Sequence, residues 1–193
     1  PDGFVNIPLD ENILKKTISD KTAGILIEPV QGEGGINPVS NEFLVFIRKL
    51  CDENKILMIL DQVQCGMGRT GKLFSHEWSG IEPDIVTLAK GLGAGFPIGA
   101  VLASEEASKG MQQGSHGSTF GGNPVGCSIA LKVIELIEKE EILNNVTRLS
   151  GILICELEKL VEKHHNKISG VRGKGLMIGV ECIEKNSVIT DLA

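Results

Sequence analysis

Residues 57–90, LMILDQVQCGMGRTGKLFSHEWSGIEPDIVTLAK, decide the fold and the candidate site. One apolar run, 56–60, ends in Asp61, and a second, 85–88, is followed after Ala89 by Lys90. Short aliphatic runs that end in polar residues are typical of buried strands in a parallel sheet. Ligands of open α/β sheets bind outside the carboxyl ends of the strands. We therefore expect Asp61 and Lys90 to face one crevice.

An aspartate and a lysine at one ligand site are the pair that pyridoxal 5'-phosphate (PLP) chemistry requires. The lysine amine binds the cofactor aldehyde covalently, and the aspartate keeps a proton on the pyridine nitrogen. Each residue alone has an ordinary explanation, Asp61 as a turn cap and Lys90 as a solvated side chain. The glycines that follow Lys90 let a cofactor approach the backbone, and they favour the functional interpretation.

Helices and strands are predicted to alternate along the chain, as in a wound α/β sheet. A buried strand over 23–27 is followed by a glycine-rich loop, 30–35, and by an amphipathic helix over 41–53. After Lys90 the sequence predicts these further elements: a strand over 99–103, a helix over 105–111, a long helix capped by Asn123 and running to about 138, a second long helix over 142–160, and a short strand over 176–180 among glycine-rich turns. The charged stretch 138–145 marks the predicted boundary between domains 1–138 and 139–193.

Composition argues against several classes of protein. A net charge of −6 disfavours a nucleic-acid surface, and the apolar runs are too short for a membrane span. The 5 cysteines include no CxxC pair, so reduced thiols in a cytoplasmic protein are expected. The histidines lack metal-ligand spacing, and we predict no metal site. Because the chain opens with Pro1, it is expected to be part of something longer.

Two motifs leave alternatives open. Residues 66–71, GMGRTG, fit the G-x-G-x-x-G pattern of a dinucleotide-dependent oxidoreductase, although five residues separate them from the preceding strand. A non-catalytic fragment that only preserves the fold is a further alternative. Residues 117–122, GSTFGG, offer hydroxyls and backbone N–H groups just before a helix, which is a plausible phosphate cradle.

Five segments together resemble the class III, PLP-dependent aminotransferases, and most of all the acetylornithine and ornithine aminotransferase branch. They are EPVQGEGG (28–35), LDQVQCGMGRTG (60–71), PDIVTLAKGLGAGFPIGAVLA (83–103), HGSTFGGNP (116–124) and VRGKGLMIGV (171–180). The resemblance implies fold type I, an α/β fold. Its large domain has a mostly parallel sheet between helices, a small α+β domain begins in the C-terminal part, and two subunits share the active sites of a homodimer.

The resemblance also implies a reaction. The chain would belong to a transaminase that moves an amino group from N2-acetylornithine to 2-oxoglutarate, with ornithine δ-aminotransferase as the alternative. Lys90 would bind the cofactor covalently and then carry the proton, and Asp61 would pair with the pyridinium nitrogen. Val63 would pack on the cofactor ring, and Gln64 would bond to its phenolic oxygen.

The remaining implied roles concern the partner subunit and the substrate. Ser118 and Thr119 would bind the cofactor phosphate of the other subunit. Glu33 resembles the gate acid that pairs with a substrate-binding arginine, and Glu28 lines the same region. The arginines that bind substrate in this family have no match here, so we expect a central and early C-terminal part of the enzyme. Gln62 stands where the family usually has Glu, and modest tuning of the chemistry is expected.

Overall fold

The computed structural model describes residues 2–139 and 141–184. The predicted helices and strands appear in the expected order along the chain. The N-terminal elements are α1 (Glu11–Thr17), β1 (Gly24–Ile27), β2 (Val30–Gln31), β3 (Asn37–Pro38), α2 (Asn41–Asn54) and β4 (Leu57–Asp61). The later elements are β5 (Ile85–Leu88), β6 (Ala100–Ala103), α3 (Glu105–Ser108), α4 (Pro124–Lys139), α5 (Ile142–Lys163), β7 (Ile168–Lys174) and β8 (Met177–Cys182). Short 3₁₀ helices cover Ser75–Ser79 and Lys90–Gly93.

The capping residues of α2 show how the sequence sets its bounds. The Ser40 hydroxyl accepts a hydrogen bond from the backbone N–H of Phe43, which satisfies one of the free donors of the first turn. The helix ends at Lys55, which adopts the left-handed conformation with φ 55°. One face of the helix buries Leu44 and Ile47 against the sheet. Each such side chain contributes about 1.5–3 kcal/mol through the apolar surface it removes from water.

The main sheet has four strands in the order β1-β4-β5-β6. Strand β4 pairs in parallel with β1 and with β5, whereas β6 runs antiparallel to β5. The register places Leu60 opposite Val86 and Asp61 opposite Thr87. The mostly parallel α/β sheet expected from the sequence is confirmed. The hydrogen-bonded ladder also brings the carboxyl ends of β4 and β5 to one edge.

Helices α2 and α4 both pack on one face of this sheet. Met58 and Leu60 of β4 join the core beneath α2, and Val86 and Leu88 of β5 join the core beneath α4. Side chains alternate between faces along a strand. The opposite face therefore carries the intervening residues: Leu26, Ile59, Asp61, Ile85, Thr87 and Val101. Among these, Leu26 is 58% exposed and Val101 is 65% exposed.

The C-terminal part differs from the sequence expectation in one respect. Residues 168–174, expected to form glycine-rich turns, form the strand β7, which pairs antiparallel with β8. Two glycines interrupt the alternation of side chains in β7, so no strand signal is visible in the sequence. Gly173 at φ 151° and Gly175 at φ 60° allow the tight turn from β7 into β8. The hairpin reaches the N-terminal part, where Arg172 Nε donates to the Gly35 carbonyl at 2.7 Å.

The glycine-rich loop is also shorter than expected. Val30 and Gln31, predicted as loop residues, form β2 and pair antiparallel with Asn37 and Pro38 of β3. The ladder is only two residues long, which gives no periodic signal in the sequence. The irregular part of the loop is thereby reduced to the residues between these two strands, which include Glu33.

Candidate active site

Asp61 and Lys90 lie at the same edge of the sheet. Asp61 is the last residue of β4, and Lys90 follows the end of β5 after a single residue. The ladder continues past Asp61, because the Gln62 N–H donates to the Thr87 carbonyl at 3.0 Å. The parallel register thus fixes the aspartate and the lysine on neighbouring chain segments, as the sequence predicts. This edge is where open α/β sheets bind ligands.

The Asp61 carboxylate is oriented by its own turn. Its Oδ1 accepts a hydrogen bond from the Val63 N–H at 3.0 Å, which holds the side chain against the backbone two residues on. Asp61 is half-buried. A carboxylate with one oxygen held in this way keeps its second oxygen for another partner, and a protonated ring nitrogen is a suitable one.

Lys90 begins the 3₁₀ helix Lys90–Gly93 with φ 41°. Its side chain is exposed. Gly91, the next residue, is closely packed, because an added Cβ would lie 3.0 Å from the Cβ of Met67. The glycine thus lets the segment after Lys90 pack closely on the loop after β4. The lysine amine stays accessible while its backbone is tied to the segment that follows Asp61.

The glycine-rich loop after β1 meets the segment after β4. Glu28 Oε2 accepts from the Gly32 N–H at 3.1 Å, so Glu28 closes the base of the loop. A Cβ added at Gly32 would lie only 1.6 Å from Gln64 Oε1. Only glycine therefore leaves space for the Gln64 side chain at this point. Glu33 lies in the same loop and is exposed.

Ser118 and Thr119 lie in the exposed stretch of residues 111–122. Ser118 lines an open cavity of about 550 Å³ with Leu92, Phe120 and Leu131, and neither Asp61 nor Lys90 is among its lining residues. The stretch leads into α4, where Asn123 Oδ1 accepts from the Gly126 N–H at 2.8 Å, as predicted for the helix cap. Phe120 is 81% exposed.

Two residues of the site escaped sequence reasoning. The Thr87 hydroxyl oxygen is buried and has no hydrogen-bond partner among the described residues. Thr87 lies opposite Asp61 in the ladder. The alternation of side chains along β5 would have predicted that Thr87 lies on the same face of the sheet as Asp61. Gln62, regarded only as a departure from the family, is fully buried. Both residues flank the candidate aspartate.

Taken together, these residues fit PLP. The edge offers a carboxylate for a ring nitrogen, an accessible amine for an aldehyde, and a buried hydroxyl without a partner beside the carboxylate. Buried hydroxyls normally find a partner, so the Thr87 oxygen indicates a polar group that completes this site.

The glycine motif 66–71 does not form a dinucleotide turn. Its first glycine bonds back to the strand end, with the Gly66 N–H donating to the Gln62 carbonyl at 2.9 Å. The motif is followed by the 3₁₀ helix Ser75–Ser79, whereas a pyrophosphate site needs an α-helix that starts at the glycines. The motif therefore serves as a turn.

Comparison with known proteins decides the family. The model of the family described as aminotransferase class-III matches residues 9–193. The chain belongs to the class-III aminotransferases. An acetylornithine aminotransferase of Methanocaldococcus jannaschii is 52% identical over 182 residues, which cover 94% of this chain and 46% of that protein. This class-III aminotransferase chain thus spans about half the length of the curated relatives it matches.

Solved structures agree with the fold of this class-III aminotransferase chain. The crystal structure of acetylornithine aminotransferase from Elizabethkingia anophelis matches with a TM-score of 0.92 at 36% identity, covering 98% of this chain and 49% of that one. An ornithine aminotransferase structure from Toxoplasma gondii, with partial occupancy of PLP at its active site, matches with a TM-score of 0.87 at 33% identity, covering 91% of this chain and 42% of that one. The expected fold type I architecture is confirmed.

Over residues 2–139 and 141–184, no group of three or more histidine, cysteine, aspartate or glutamate side chains is arranged to hold a metal ion. None of the helices in these ranges combines the length and the apolar character needed to cross a bilayer.

Proposed function

We propose that the complete protein is a PLP-dependent acetylornithine aminotransferase of arginine biosynthesis, acting in the cytoplasm on small amino-acid and 2-oxo-acid substrates. The observation that carries the proposal is the placement of Asp61 and Lys90 at the carboxyl ends of two paired parallel strands. The choice of substrate is supported by curated acetylornithine aminotransferases that are 45–52% identical to this chain. Amino transfer would convert N2-acetylornithine and 2-oxoglutarate into N-acetylglutamate 5-semialdehyde and glutamate.

When bound, PLP supplies an aldehyde that joins an amine and a ring that accepts the electron pair of a deprotonated substrate carbon. Lys90 is the amine that holds the aldehyde before substrate arrives. When it is not joined to the aldehyde, Nζ would accept the proton of the substrate α- or δ-carbon and would later give that proton up. A general base must reach that proton, and the exposed Lys90 side chain has the freedom to do so.

Asp61 would hold the proton on the ring nitrogen. A carboxylate close to a ring nitrogen favours its protonated form, which strengthens the electron demand of the ring. The Val63 N–H bond fixes the direction of the carboxylate before the cofactor binds. Val63 would pack on the ring, and Gln64 would donate to the phenolic oxygen from its position against Gly32. These residues orient the ring relative to Lys90.

Glu33 and Glu28 would act on the substrate side. Glu28 is tied to the Gly32 N–H and shapes the loop, whereas Glu33 is exposed and free to meet an arginine. Such an acid can occupy a carboxylate-binding arginine when the amino donor is present and release it to 2-oxoglutarate. This role would let one site accept two substrates of different charge.

We propose a homodimer in which Ser118 and Thr119 serve the cofactor phosphate of the partner subunit. The exposed stretch 111–122 supports this assignment, since it leaves both hydroxyl residues accessible to a second subunit. Two hydroxyls and several backbone N–H groups ahead of α4 suit a phosphate group.

Differently tagged full-length Thr119→Ala and Lys90→Ala subunits, purified as a heterodimer, test this sharing. Under the shared arrangement, the site with the intact lysine receives an intact Thr119 from its partner and binds PLP as tightly as the natural enzyme. If each chain serves its own phosphate, that same site binds PLP about ten- to a hundred-fold more weakly, as expected for one lost hydrogen bond to a charged group. That result would refute the shared site.

The substrate is tested by steady-state kinetics of the full-length enzyme with two donors. We expect kcat/KM for N2-acetylornithine to exceed that for ornithine by at least about ten-fold. The reverse preference would establish ornithine δ-aminotransferase, a candidate favoured by the match to the Toxoplasma gondii enzyme. Absence of amino transfer with both donors would reject the proposed substrate class.

A further inference from the structure

Gln62, the residue after Asp61, uses every polar group it has. Its N–H donates to the Thr87 carbonyl at 3.0 Å, and its carbonyl accepts from the Gly66 N–H at 2.9 Å. In the side chain, Oε1 accepts from the Ser75 N–H at 2.6 Å, and Nε2 lies 2.7 Å from Nδ1 of His76. The side chain is 0% exposed. One residue therefore joins β5, the turn after β4 and the 3₁₀ helix Ser75–Ser79.

These bonds determine where the proton of His76 lies. The Ser75 N–H can only donate, which fixes the amide oxygen of Gln62 toward Ser75 and its NH₂ group toward His76. An NH₂ group also only donates, so Nδ1 of His76 must accept. The imidazole is then neutral with its hydrogen on Nε2. A proton on Nδ1 would put two donors in contact, and rotating the amide would only move that conflict to Ser75.

The surroundings of His76 also oppose a positive charge. The ring is 6% exposed and stacks on Phe74, with centroids 5.5 Å apart. Burial lowers the pKa of His76 below its ordinary value of 6.5, although the carboxylates of Glu82 and Glu77 act in the other direction. The hydrogen-bond pattern and the loss of hydration therefore both favour the neutral form of His76.

We propose that Gln62 and His76 form a neutral positioning pair that fixes the turn carrying Asp61, Val63 and Gln64. The protonation of this pair follows from the structure alone, and its effect on cofactor binding rests on the proposed function. The turn is closely packed, because a Cβ added at Gly66 would lie 2.7 Å from the Gln62 carbonyl oxygen. A shift of Gln62 would therefore displace the neighbouring Asp61 and the Val63 N–H that orients it.

The proton is tested by long-range ¹H–¹⁵N NMR of the histidines in the full-length protein, with and without PLP. His76→Gln identifies the His76 signal. We expect the Nε2–H tautomer and a pKa of His76 below its ordinary value of 6.5. A His76 that carries its hydrogen on Nδ1, or that titrates at its ordinary value, would overturn the proposal.

Gln62→Glu provides the contrasting variant. A carboxylate accepts from both Ser75 and His76, so it favours the imidazolium and should raise the pKa of His76 by about one unit or more. The double variant Gln62→Glu/His76→Gln keeps both bonds without a titrating ring and should show no new ionisation in the pH profile of kcat/KM. If the single and double variants have the same profile, His76 does not respond to residue 62 and the pair has no positioning role.

Cofactor binding tests the consequence for the site. Gln62→Met preserves volume and removes both side-chain bonds, and we expect PLP to bind about ten-fold more weakly. Asn12→Leu, at an exposed amide of α1 outside the proposed site, is the control and should bind PLP normally. Tight PLP binding by folded Gln62→Met contradicts the proposal. If Gln62→Met does not fold, His76→Gln provides the test. Its amide can still accept from Gln62, so it should bind PLP normally, and weakened PLP binding would contradict the proposal. If the natural full-length protein shows no amino transfer, the proposed function is rejected, whereas the NMR result on His76 still stands.

Discussion

Asp61 lies opposite Thr87 in the parallel ladder of β4 and β5, and both side chains belong to the sheet face that α2 and α4 leave open. The Thr87 hydroxyl oxygen is buried without a hydrogen-bond partner among the described residues. An unsatisfied buried hydroxyl destabilises a protein unless something else completes its hydrogen bonding. Because the Thr87 hydroxyl lies beside the candidate aspartate, we expect it to lower the stability of the free enzyme and to strengthen cofactor binding.

Thr87→Val is expected to stabilise the cofactor-free full-length enzyme by about 1 kcal/mol and to weaken PLP binding by about two- to ten-fold. Valine keeps the shape of the side chain and removes only the hydroxyl. Urea unfolding of the free enzyme and a PLP titration measure the two effects. Thr87→Ser should restore affinity, and Thr147→Val at an exposed site should change neither. Unchanged PLP affinity in Thr87→Val would exclude the hydroxyl from the site.

Lys90 is expected to be the only point of covalent attachment of PLP. Lys90→Ala should lower kcat by at least about 10²–10⁴-fold, because the general base of the reaction is lost. Borohydride reduction of the complete enzyme, followed by peptide mapping, should locate the label on Lys90. Lys109→Ala, at an exposed lysine, is the control and should retain activity and label. A label on any other lysine would refute the assignment.

Asp61→Asn tests the charge of the carboxylate while retaining its shape. The amide oxygen can still accept from the Val63 N–H, so the turn should keep its geometry. Loss of the charge that stabilises the protonated ring should reduce kcat by about 10²–10³-fold. Single-turnover kinetics of the full-length enzyme with PLP bound measure this effect, with Asp20→Asn at an exposed position as the control. Near-natural kinetics in Asp61→Asn would contradict the proposed role.

The two buried cysteines predict a loss of stability at alkaline pH. Burial raises the pKa of Cys51 and of Cys65 from the ordinary 9.0 to about 11 in each case. Between these values the unfolded chain releases thiol protons that the folded chain retains, so stability should fall as the pH rises through this range. Thermal unfolding as a function of pH measures the slope, which should diminish in Cys51→Ala/Cys65→Ala.

The same two thiols should resist alkylation. At a pH below both values, a two-unit increase in pKa reduces the thiolate fraction by about a hundred-fold. Mass spectrometry after iodoacetamide treatment should therefore find both sites protected in the native protein and reactive after denaturation. Rapid native modification of Cys51 or Cys65 would show that burial does not control their ionisation.

Asp84 is expected to contribute to stability through two partners. Its Oδ2 accepts from the Met58 N–H and from Arg48 Nη1, both at 2.8 Å, and so joins the start of β4 to α2. Asp84→Ala should lower the free energy of unfolding by about 1.5–3 kcal/mol, measured by urea unfolding. Asp52→Ala is the matched control, because Asp52 also pairs with Arg48 but is 65% exposed. Its loss should change stability by less than about 1 kcal/mol. Equal losses of stability in Asp84→Ala and Asp52→Ala would show that burial does not strengthen the contacts of Asp84.

The sequence predicted the sheet and the edge that carries the site, because aliphatic runs and the polar residues that end them are local signals. Asp61 and Lys90 could be placed from those signals and the rule for parallel sheets. The strand β7 was missed, since its glycines interrupt the alternation on which strand prediction depends. The contact of Gln62 with His76 joins residues 14 positions apart through side-chain geometry, and no pattern of residue types indicates it. The roles of Ser118 and Thr119, and the domain boundary after residue 138, stay predictions.

Lys90 occupies a left-handed backbone conformation, with φ 41°. This conformation disfavours any residue with a Cβ by about 1–2 kcal/mol relative to glycine. The most stable residue at position 90 is therefore not the one that the chemistry needs. In the cofactor-free full-length protein, Lys90→Gly should unfold at a higher temperature than Lys90→Ala and than the natural sequence, although it has no amine. A thermostability screen of the cofactor-free protein alone would thus select against the side chain proposed to be catalytic, so such a screen should hold position 90 fixed.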